Sequence, residues 1–267
     1  MKQVSLLGCG WLGLPLAKSF LEKGYSVNGS TTSIDKISIL KSEGITPFKI
    51  RLIEDNVEGE MDLFLANSEI LIIDIPPKLR GDSKENFVGK IQTLLPFIEK
   101  SSVEKVLFVS STSVYSDNNE ASTEEFIPQP DSESGRQLLA SEKILESNSK
   151  FKTTVVRFGG LIGQDRHPIK FLAGRKNIEN PNAPINMIHQ EDCIGIIQKI
   201  IDTNSWNETF NAVAPYHPSR KEYYIVKAIE YGLPLPEFDE SKPSIGKLIL
   251  STKIEKVLDY TFKKVHL

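Results

Sequence analysis

Two short stretches of the chain carry residues whose types and spacing can do chemistry. Near the start, Gly8, Gly10 and Gly13 follow the pattern Gly-x-Gly-x-x-Gly. Gly8 permits a tight turn, and Gly10 lets the backbone approach a pyrophosphate closely. Gly13 lets a helix pack close to a strand. In the second stretch, four consecutive hydroxyl residues at 110–113 lie just before Tyr115. Such groups can polarise a carbonyl and transfer a proton.

The surroundings of the glycines predict a strand, a turn and a helix. Val4, Leu6 and Leu7 precede the turn, and a helical pattern follows over 11–23. The start of that helix directs free N–H groups at phosphates, so Trp11 and Leu12 join the three glycines as predicted dinucleotide contacts. Cys9 within the turn is either a nucleophile or simply a small side chain in a crowded place.

The rest of the chain alternates between strand and helix patterns. The predicted strands are 4–7, 25–29, 47–52, 69–75, 103–110, 153–158 and 209–213. The predicted helices are 11–23, 33–43, 57–66, 83–100, 132–148, 190–202, 219–231 and 251–258. This order predicts an α/β fold, a Rossmann-like doubly wound parallel sheet with helices on both faces. We expect an NAD(P)-binding domain over 1–158 and a smaller substrate-binding lobe over 159–267 that contributes in part to the sheet.

The end of the second strand bears on the choice between NADP and NAD. An Asp or Glu there binds the ribose hydroxyls of NAD, but here the first acid is Asp35. The predicted cofactor contacts in this segment are Ser30, Thr31, Thr32 and Ser33. Their hydroxyls, with Lys36, can receive a 2′-phosphate; Thr32 or Ser33 can also cap the next helix. The pattern slightly favours NADP over NAD.

Two further strand ends complete the predicted cofactor site. Asp74 ends the fourth strand, and Ile75, Pro76 and Pro77 follow it, with the prolines stiffening the turn beneath the cofactor. Ser110 ends the next strand. The serine run also fits a helix cap or turn, but its place at a strand's carboxyl end favours a site.

The motifs together resemble the extended short-chain dehydrogenase/reductase superfamily, which includes nucleotide-sugar epimerases and dehydratases. Within it, the chain is most similar to a small bacterial branch of NAD(P)-binding, sugar-epimerase-like proteins. The resemblance covers nearly the whole chain and implies a Rossmann fold, a bound NAD(P) and a sugar-like substrate. It is carried by the glycine turn and by 108–115, 128–130, 156–163, 186–192 and 210–213.

The proton-transfer residues of that superfamily are missing from the expected positions. The resemblance implies a Tyr four residues before a Lys, but the matching positions hold Ser134 and Leu138. The remaining catalytic candidates are Ser111, as a hydrogen-bond partner of the substrate, and Tyr115, as an acid. Arg136 or solvent would then supply the charge. Tyr115 can instead be a loop aromatic beside the nicotinamide.

Three basic residues are candidates for binding the substrate. Arg136 follows Ser134, while Arg166 and His167 come just after the strand 153–158 and its glycines. They can hold a phosphate or a carboxylate, or belong to a solvated loop. The four histidines are scattered, and no metal site is predicted.

Charge and composition restrict the remaining function classes. The chain has 267 residues, a net charge of −3 and two cysteines. Neither a nucleic-acid surface nor a membrane segment nor a disulfide framework is indicated, and the start lacks a secretory apolar core. We expect a cytoplasmic monomer or homodimer with a small-molecule substrate.

Three functions remain open at this point. The protein can be an enzyme on a sugar or nucleotide-sugar carbonyl or alcohol with non-standard machinery. It can be a slow reductase, because hydride transfer requires mainly the cofactor and an oriented carbonyl. It can also be a non-catalytic NAD(P)-binding sensor or regulator.

Overall fold

The backbone elements come from a computed structural model that describes residues 2–79 and 85–267. The strands are β1 (Gln3–Leu7), β2 (Ser26–Thr31), β3 (Thr46–Lys49), β4 (Arg51–Leu52), β5 (Val57–Glu58), β6 (Ile70–Ile73), β7 (Lys105–Ser111), β8 (Ala121–Ser122), β9 (Lys152–Phe158), β10 (Gly160–Ile162), β11 (Met187–His189), β12 (Thr209–Ala212) and β13 (Leu248–Ile249). The helices are α1 (Gly13–Glu22), α2 (Asp35–Ser42), α3 (Met61–Leu65), α4 (Phe87–Lys100), α5 (Glu133–Glu146), α6 (Ile169–Leu172), α7 (Gln190–Asp202), α8 (Arg220–Glu230) and α9 (Thr252–Leu258).

Within the described residues, seven strands form one parallel sheet in the order β12-β9-β7-β6-β1-β2-β3. The chain builds outwards from β1 through β2 to β3, then returns to β6 on the other side of β1. The strand order therefore reverses between β1 and β6. In open sheets of this kind, ligands bind in the crevice at the carboxyl ends of such a pair.

Two hydrophobic clusters cover the two faces of this sheet. On one face, Leu16 and Phe20 of α1 pack with Ile196 and Ile200 of α7. The other face is covered by α3, α4 and α5 through residues such as Phe64, Ile91, Leu94 and Leu145. Burial on both faces explains why β6 is apolar throughout and why β7 has the apolar run 106–109. The predicted Rossmann-like fold class is confirmed.

Residues on both sides of position 158 share this core. The edge strand β12 pairs with β9, and α7 covers the same face as α1. A third, smaller cluster lies farther out and joins Ile162, Ile169 and Met187 to Tyr223 and Tyr224 of α8. The C-terminal part thus both completes the sheet and forms a separate small core beyond it.

The segment after β2 differs from the predicted elements. The predicted strand 47–52 is two strands, β3 and β4, and β4 pairs with β5 in an antiparallel hairpin. The predicted helix over 57–66 begins only at Met61, because Gly59 turns the chain with a φ of +109°. The helix predicted over 83–100 begins at Phe87 with Asn86 as its cap; residue 83 lies outside the described residues.

None of the helices in 2–79 and 85–267 has the length and apolar character required to cross a bilayer.

Candidate functional site

A cavity of about 710 Å³ lies where the strand order reverses. Its walls come from the glycine turn after β1, the end of β2, the segment after β3 and the residues after β6. The predicted cofactor contacts that line it are Gly8, Gly10, Ser30, Thr31, Thr32, Ile75 and Pro76. A second cavity of about 630 Å³ lies at the opposite edge of the sheet, beside Glu104 and Lys152. The first cavity, unlike the second, lies in the crevice in which such sheets bind ligands.

The three glycines of the turn have different structural roles. Gly8 has a φ of +112°, and a Cβ there would lie 2.2 Å from the carbonyl oxygen of Asp74. At Gly13, a Cβ would lie 2.1 Å from the carbonyl oxygen of Gly8, so α1 packs directly on the turn. A Cβ at Gly10 would meet no atom within 4 Å. The fold requires Gly8 and Gly13, whereas Gly10 leaves open space that a phosphate can occupy.

Ser30 holds the glycine turn in place. Its hydroxyl accepts a hydrogen bond from the Gly8 N–H at 2.9 Å, and its carbonyl accepts one from the Cys9 N–H at 2.8 Å. The Thr31 hydroxyl accepts from the Ser33 N–H at 3.1 Å. Neither Thr32 nor Ser33 caps α2, whose N-cap position is Ile34 without a side-chain bond. The exposed Thr32 is the hydroxyl residue of this group best placed to meet a ligand.

Lys36 and Arg51 bring positive charge to the same end of the cavity. Lys36 lies on α2, and Arg51 begins β4 after β3 has ended. The Arg51 guanidinium is largely exposed and lies 3.8 Å from a carboxylate oxygen of Glu58. The sequence pattern pointed to Lys36 at this end of the cavity but not to Arg51. The feature of the sequence that could have identified Arg51 is its position after the third strand of the sheet.

Asp74 places a carboxyl group on the cavity wall beside the glycine turn. Its backbone N–H donates to the Leu7 carbonyl at 2.9 Å, which fixes the residue between β6 and β1. Burial raises the pKa of this carboxyl to about 8, and hydrogen bonding from the Gly13 N–H and the charge of Arg166 oppose that rise. An acid with this pKa is largely protonated at neutral pH.

Trp11 and Leu12 lie next to the cavity without lining it. Leu12 is buried in the core under α1. The Trp11 indole N–H donates to Asp165 Oδ1 at 2.9 Å, and the Arg166 guanidinium lies 4.9 Å from the centre of the indole ring. Gln190 Nε2 donates to the Trp11 carbonyl at 2.7 Å. The C-terminal part of the chain therefore holds the glycine turn from outside, and Arg166 remains exposed at its rim.

Ser110 and Tyr115 belong to a buried polar network. The Ser110 hydroxyl donates to Glu142, whose carboxylate also forms a buried ion pair with Arg157 at 2.6 Å. Arg157 Nη1 donates to the Tyr115 hydroxyl at 2.6 Å, and that hydroxyl donates to Asn211 Oδ1 at 2.9 Å. Only 1% of Tyr115 is exposed. The network joins β7, α5, β9 and β12 below the cavity.

The surroundings of Tyr115 do not suit it to proton transfer at neutral pH. Burial raises the pKa of its phenol, although the charge of Arg157 opposes that rise. Since the phenol is also enclosed, the structure places Tyr115 as a structural residue rather than as an acid facing a ligand. The alternative prediction, a loop aromatic beside the nicotinamide, meets the same enclosure, because the ring is buried in the core.

Ser111 is half-buried at the carboxyl end of β7, where its hydroxyl accepts from the Ser113 N–H at 3.2 Å. The helix α5 packs closely against this turn, since a Cβ at Gly135 would lie 2.1 Å from the Ser113 carbonyl oxygen. On α5, Leu138 is buried in the core. The position of the missing lysine is therefore an apolar packing position.

Two of the predicted substrate-binding residues lie away from the cavity. Arg136 is exposed on α5 and pairs with Glu133 at 2.9 Å. His167 is buried, its Nε2 lies 2.8 Å from the Tyr223 hydroxyl, and its Nδ1 accepts from the Ile169 N–H. Burial lowers the pKa of His167 to about 4, so this ring is neutral and is not an anion ligand. Pro77 and Ser33 also stand outside the cavity lining.

Comparison with known proteins decides the family. No protein-family model matches the chain. Protein YeeZ of Escherichia coli K12 is 32% identical over 265 residues, which cover 98% of this chain and 96% of YeeZ. The chain belongs to the YeeZ family. Its length and that of YeeZ correspond almost end to end.

Solved structures share the fold of this YeeZ-family chain. The UDP-glucose 4-epimerase of Thermotoga maritima, solved with UDP-glucose, has a TM-score of 0.81 at 19% identity and covers 98% of this chain, which in turn covers 94% of it. MoeE5 in complex with UDP-glucuronic acid and NAD has a TM-score of 0.79 at 17% identity, with the same coverage. A protein of unknown function from Silicibacter pomeroyi also reaches 0.79, at 20% identity, 98% and 94% coverage. These structures confirm the fold that the resemblance to the extended short-chain dehydrogenase/reductase superfamily implied.

Proposed function

We propose that this YeeZ-family protein binds NADP, and NAD less tightly, in the cavity between β1 and β6. The observation that carries the proposal is the open space at Gly10, in a turn whose other two glycines are required by packing. A pyrophosphate there would accept hydrogen bonds from backbone N–H groups at the start of α1. The cavity volume of about 710 Å³ is sufficient for a nucleotide-sized ligand.

The charges at the β2 end of the cavity support the preference for NADP. Thr32 supplies a hydroxyl there, and Lys36 and Arg51 supply positive charges. A 2′-phosphate adds negative charge at this end of the cofactor, and charge-assisted hydrogen bonds to phosphate are stronger than neutral ones. Because the first acid after β2 is Asp35, on α2 itself, no carboxylate stands at the strand end to favour the ribose hydroxyls of NAD.

We further propose that the substrate is a sugar or nucleotide-sugar-like carbonyl or alcohol. The bound nicotinamide would supply or accept the hydride. Ser111, at the end of β7, would hydrogen-bond the reacting oxygen, and the exposed Arg166 would bind a phosphate or carboxylate of the substrate. The structural relatives solved with UDP-glucose and UDP-glucuronic acid support this substrate class by fold. Because Tyr115 is enclosed, the proton would come from another group or from water.

A second candidate function is a non-catalytic NAD(P) sensor. It is favoured by one observation: the positions of the proton-transfer pair are occupied by Ser134 and by the buried Leu138. A cofactor site would then be retained without the groups that make turnover efficient. Cofactor binding is common to both candidates, and turnover separates them.

The test of binding is a fluorescence titration of the protein with NADPH and with NADH. Gly10→Val fills the space meant for the pyrophosphate, and its Cβ meets no atom of the fold within 4 Å, so we expect it to weaken binding at least about tenfold. Gly232→Ala is the matched control, because a Cβ at that exposed glycine also meets no atom within 4 Å. Its φ of +62° predicts a small loss of stability and unchanged binding.

Turnover is tested with nucleotide-sugars and small carbonyls in the presence of either cofactor. Tight binding without turnover across a broad panel would favour the sensor over the enzyme. Absence of binding for both nucleotides, in protein with an intact thermal transition, would overturn both functions. A Gly10→Val variant that binds as tightly as the unmodified chain would place the cofactor elsewhere.

A further inference from the structure

The carboxyl group of Asp74 occupies the place where the proposed dinucleotide site requires positive charge. The residue follows β6, lines the cavity together with Gly10, and its carboxyl lies close enough to the Gly13 N–H at the start of α1 for that N–H to lower its pKa. That N–H belongs to the group of backbone donors that a pyrophosphate would use. An ionised carboxylate and a pyrophosphate would therefore compete for one small region of positive potential.

Several elements packed around Asp74 contribute titratable or charged groups. The glycine turn contributes the thiol of Cys9, α7 contributes the thiol of Cys193, and the loop before α6 contributes the guanidinium of Arg166. Burial raises the pKa of Cys9 to about 12 and that of Cys193 well above its ordinary range, so both thiols are neutral. Arg166 lies at the exposed rim, stacked on Trp11. The positive charge of Arg166 would only partly offset the negative charge of an ionised Asp74 beside a bound pyrophosphate.

We infer that Asp74 binds the dinucleotide as a neutral carboxylic acid, which donates its proton to a pyrophosphate oxygen while its carbonyl oxygen faces the Gly13 N–H. This inference rests on the proposed function. The hydrogen bond turns a repulsive contact between two anions into an attractive one. Where Asp74 is ionised in the free protein, each binding event must take up one proton from solution. Cofactor affinity is then coupled to pH.

The direction of the coupling follows from the state of Asp74 without ligand. Its pKa is about 8, so below that pH the acid is already protonated and binding requires no proton. Above it, the proton must come from solution, and the dissociation constant should rise about tenfold for each pH unit. The dissociation constant should therefore be flat at neutral pH and should rise from about pH 8 upwards.

The test is a titration with NADH, which lacks the titrating 2′-phosphate, between about pH 6.5 and pH 9.5. We expect the affinity of the unmodified chain to fall above about pH 8, whereas Asp74→Asn keeps nearly constant affinity and binds more tightly than the unmodified chain at pH 9. The cavity lysines are the same in both proteins, so the difference isolates Asp74. Cys9→Ser should retain the pH slope of the unmodified chain, because that thiol stays protonated throughout.

Calorimetry in two buffers of different ionisation enthalpy gives a second measurement that requires no variant. At about pH 8.5, binding of NADH should take up a proton in most binding events. Binding with a constant affinity and no proton uptake would overturn this inference and leave the proposed cofactor site standing. Absence of NADH binding at every pH would instead overturn the proposed function, and this inference with it.

Discussion

Arg157 donates a hydrogen bond from Nη1 to the Tyr115 hydroxyl at 2.6 Å, while its Nη2 bonds a Glu142 carboxylate oxygen at the same distance. The three side chains come from β9, from the turn after β7 and from α5. The single tyrosine close to the serine run is therefore committed to a buried ion pair. None of these three side chains lines the cavity between β1 and β6.

Tyr115→Phe should destabilise the protein without changing cofactor affinity. The substitution leaves an Arg157 N–H unpaired in a buried network, which costs about 2 kcal/mol in the free energy of unfolding. Urea denaturation measures that cost, and an NADPH titration measures the affinity. Tyr25→Phe is the control, because the half-buried Tyr25 packs its ring on Phe20 at the protein surface and should lose little. A stable Tyr115→Phe protein that had lost a detectable turnover would return Tyr115 to the catalytic residues.

Lys36→Gln and Arg51→Gln should each reduce the preference for NADPH. Each removes one positive charge from the end of the cavity proposed for the 2′-phosphate, so NADPH affinity should fall about tenfold and NADH affinity little. Lys41→Gln removes a charge from the exposed last turn of the same helix as Lys36 and serves as the control. Equal losses for both cofactors in the two variants would place these charges at the pyrophosphate instead.

His167 should make the stability of the protein fall in mild acid. Its folded pKa of about 4 lies below the ordinary 6.5, so the unfolded chain binds more protons between these values. The stabilisation is complete above about pH 6.5 and is lost as the pH falls towards 4. Between pH 7 and pH 5 this amounts to about 2 kcal/mol.

Urea denaturation of the unmodified chain and of His167→Gln at both pH values measures the effect of His167. The variant should be less stable at pH 7, because the Ile169 N–H and the Tyr223 hydroxyl lose their partner. Between pH 7 and pH 5, the free energy of unfolding of the variant should fall by about 2 kcal/mol less than that of the unmodified chain. Equal losses in the two proteins would show that the ring titrates normally in the folded state.

The sequence predicted the fold and many of the residues that line the cavity at the glycine turn, because both depend on local patterns. Apolar runs define buried strands, and the glycine spacing defines the turn after β1. The helix α7 was predicted with the bounds that the structure gives it, 190–202. These features depend on the types and spacing of residues that are close together in the chain, and a single sequence displays both directly.

The surroundings of the predicted catalytic and substrate-binding residues depend on contacts between distant residues, which the sequence did not reveal. Tyr115 is enclosed by Arg157 and Asn211, which follow it by 42 and 96 positions. His167 is neutralised by its packing against α8. Arg51 reaches the cavity only because β3 ends early and the chain turns into β4. Nothing local in the sequence distinguishes a solvated side chain from one that the fold encloses.

Because α7 packs on α1, the glycine turn can reach its final packing only after α7 has been synthesised. Gln190 bonds the Trp11 carbonyl at 2.7 Å, and Asp202 pairs with Lys23 at 2.6 Å, each across 179 positions. The apolar face of α1 is also covered by Ile196 and Ile200. A nascent chain that has left the ribosome only as far as β9 thus exposes the apolar face of α1. Until α7 has emerged, this exposed apolar face favours aggregation of the nascent chain.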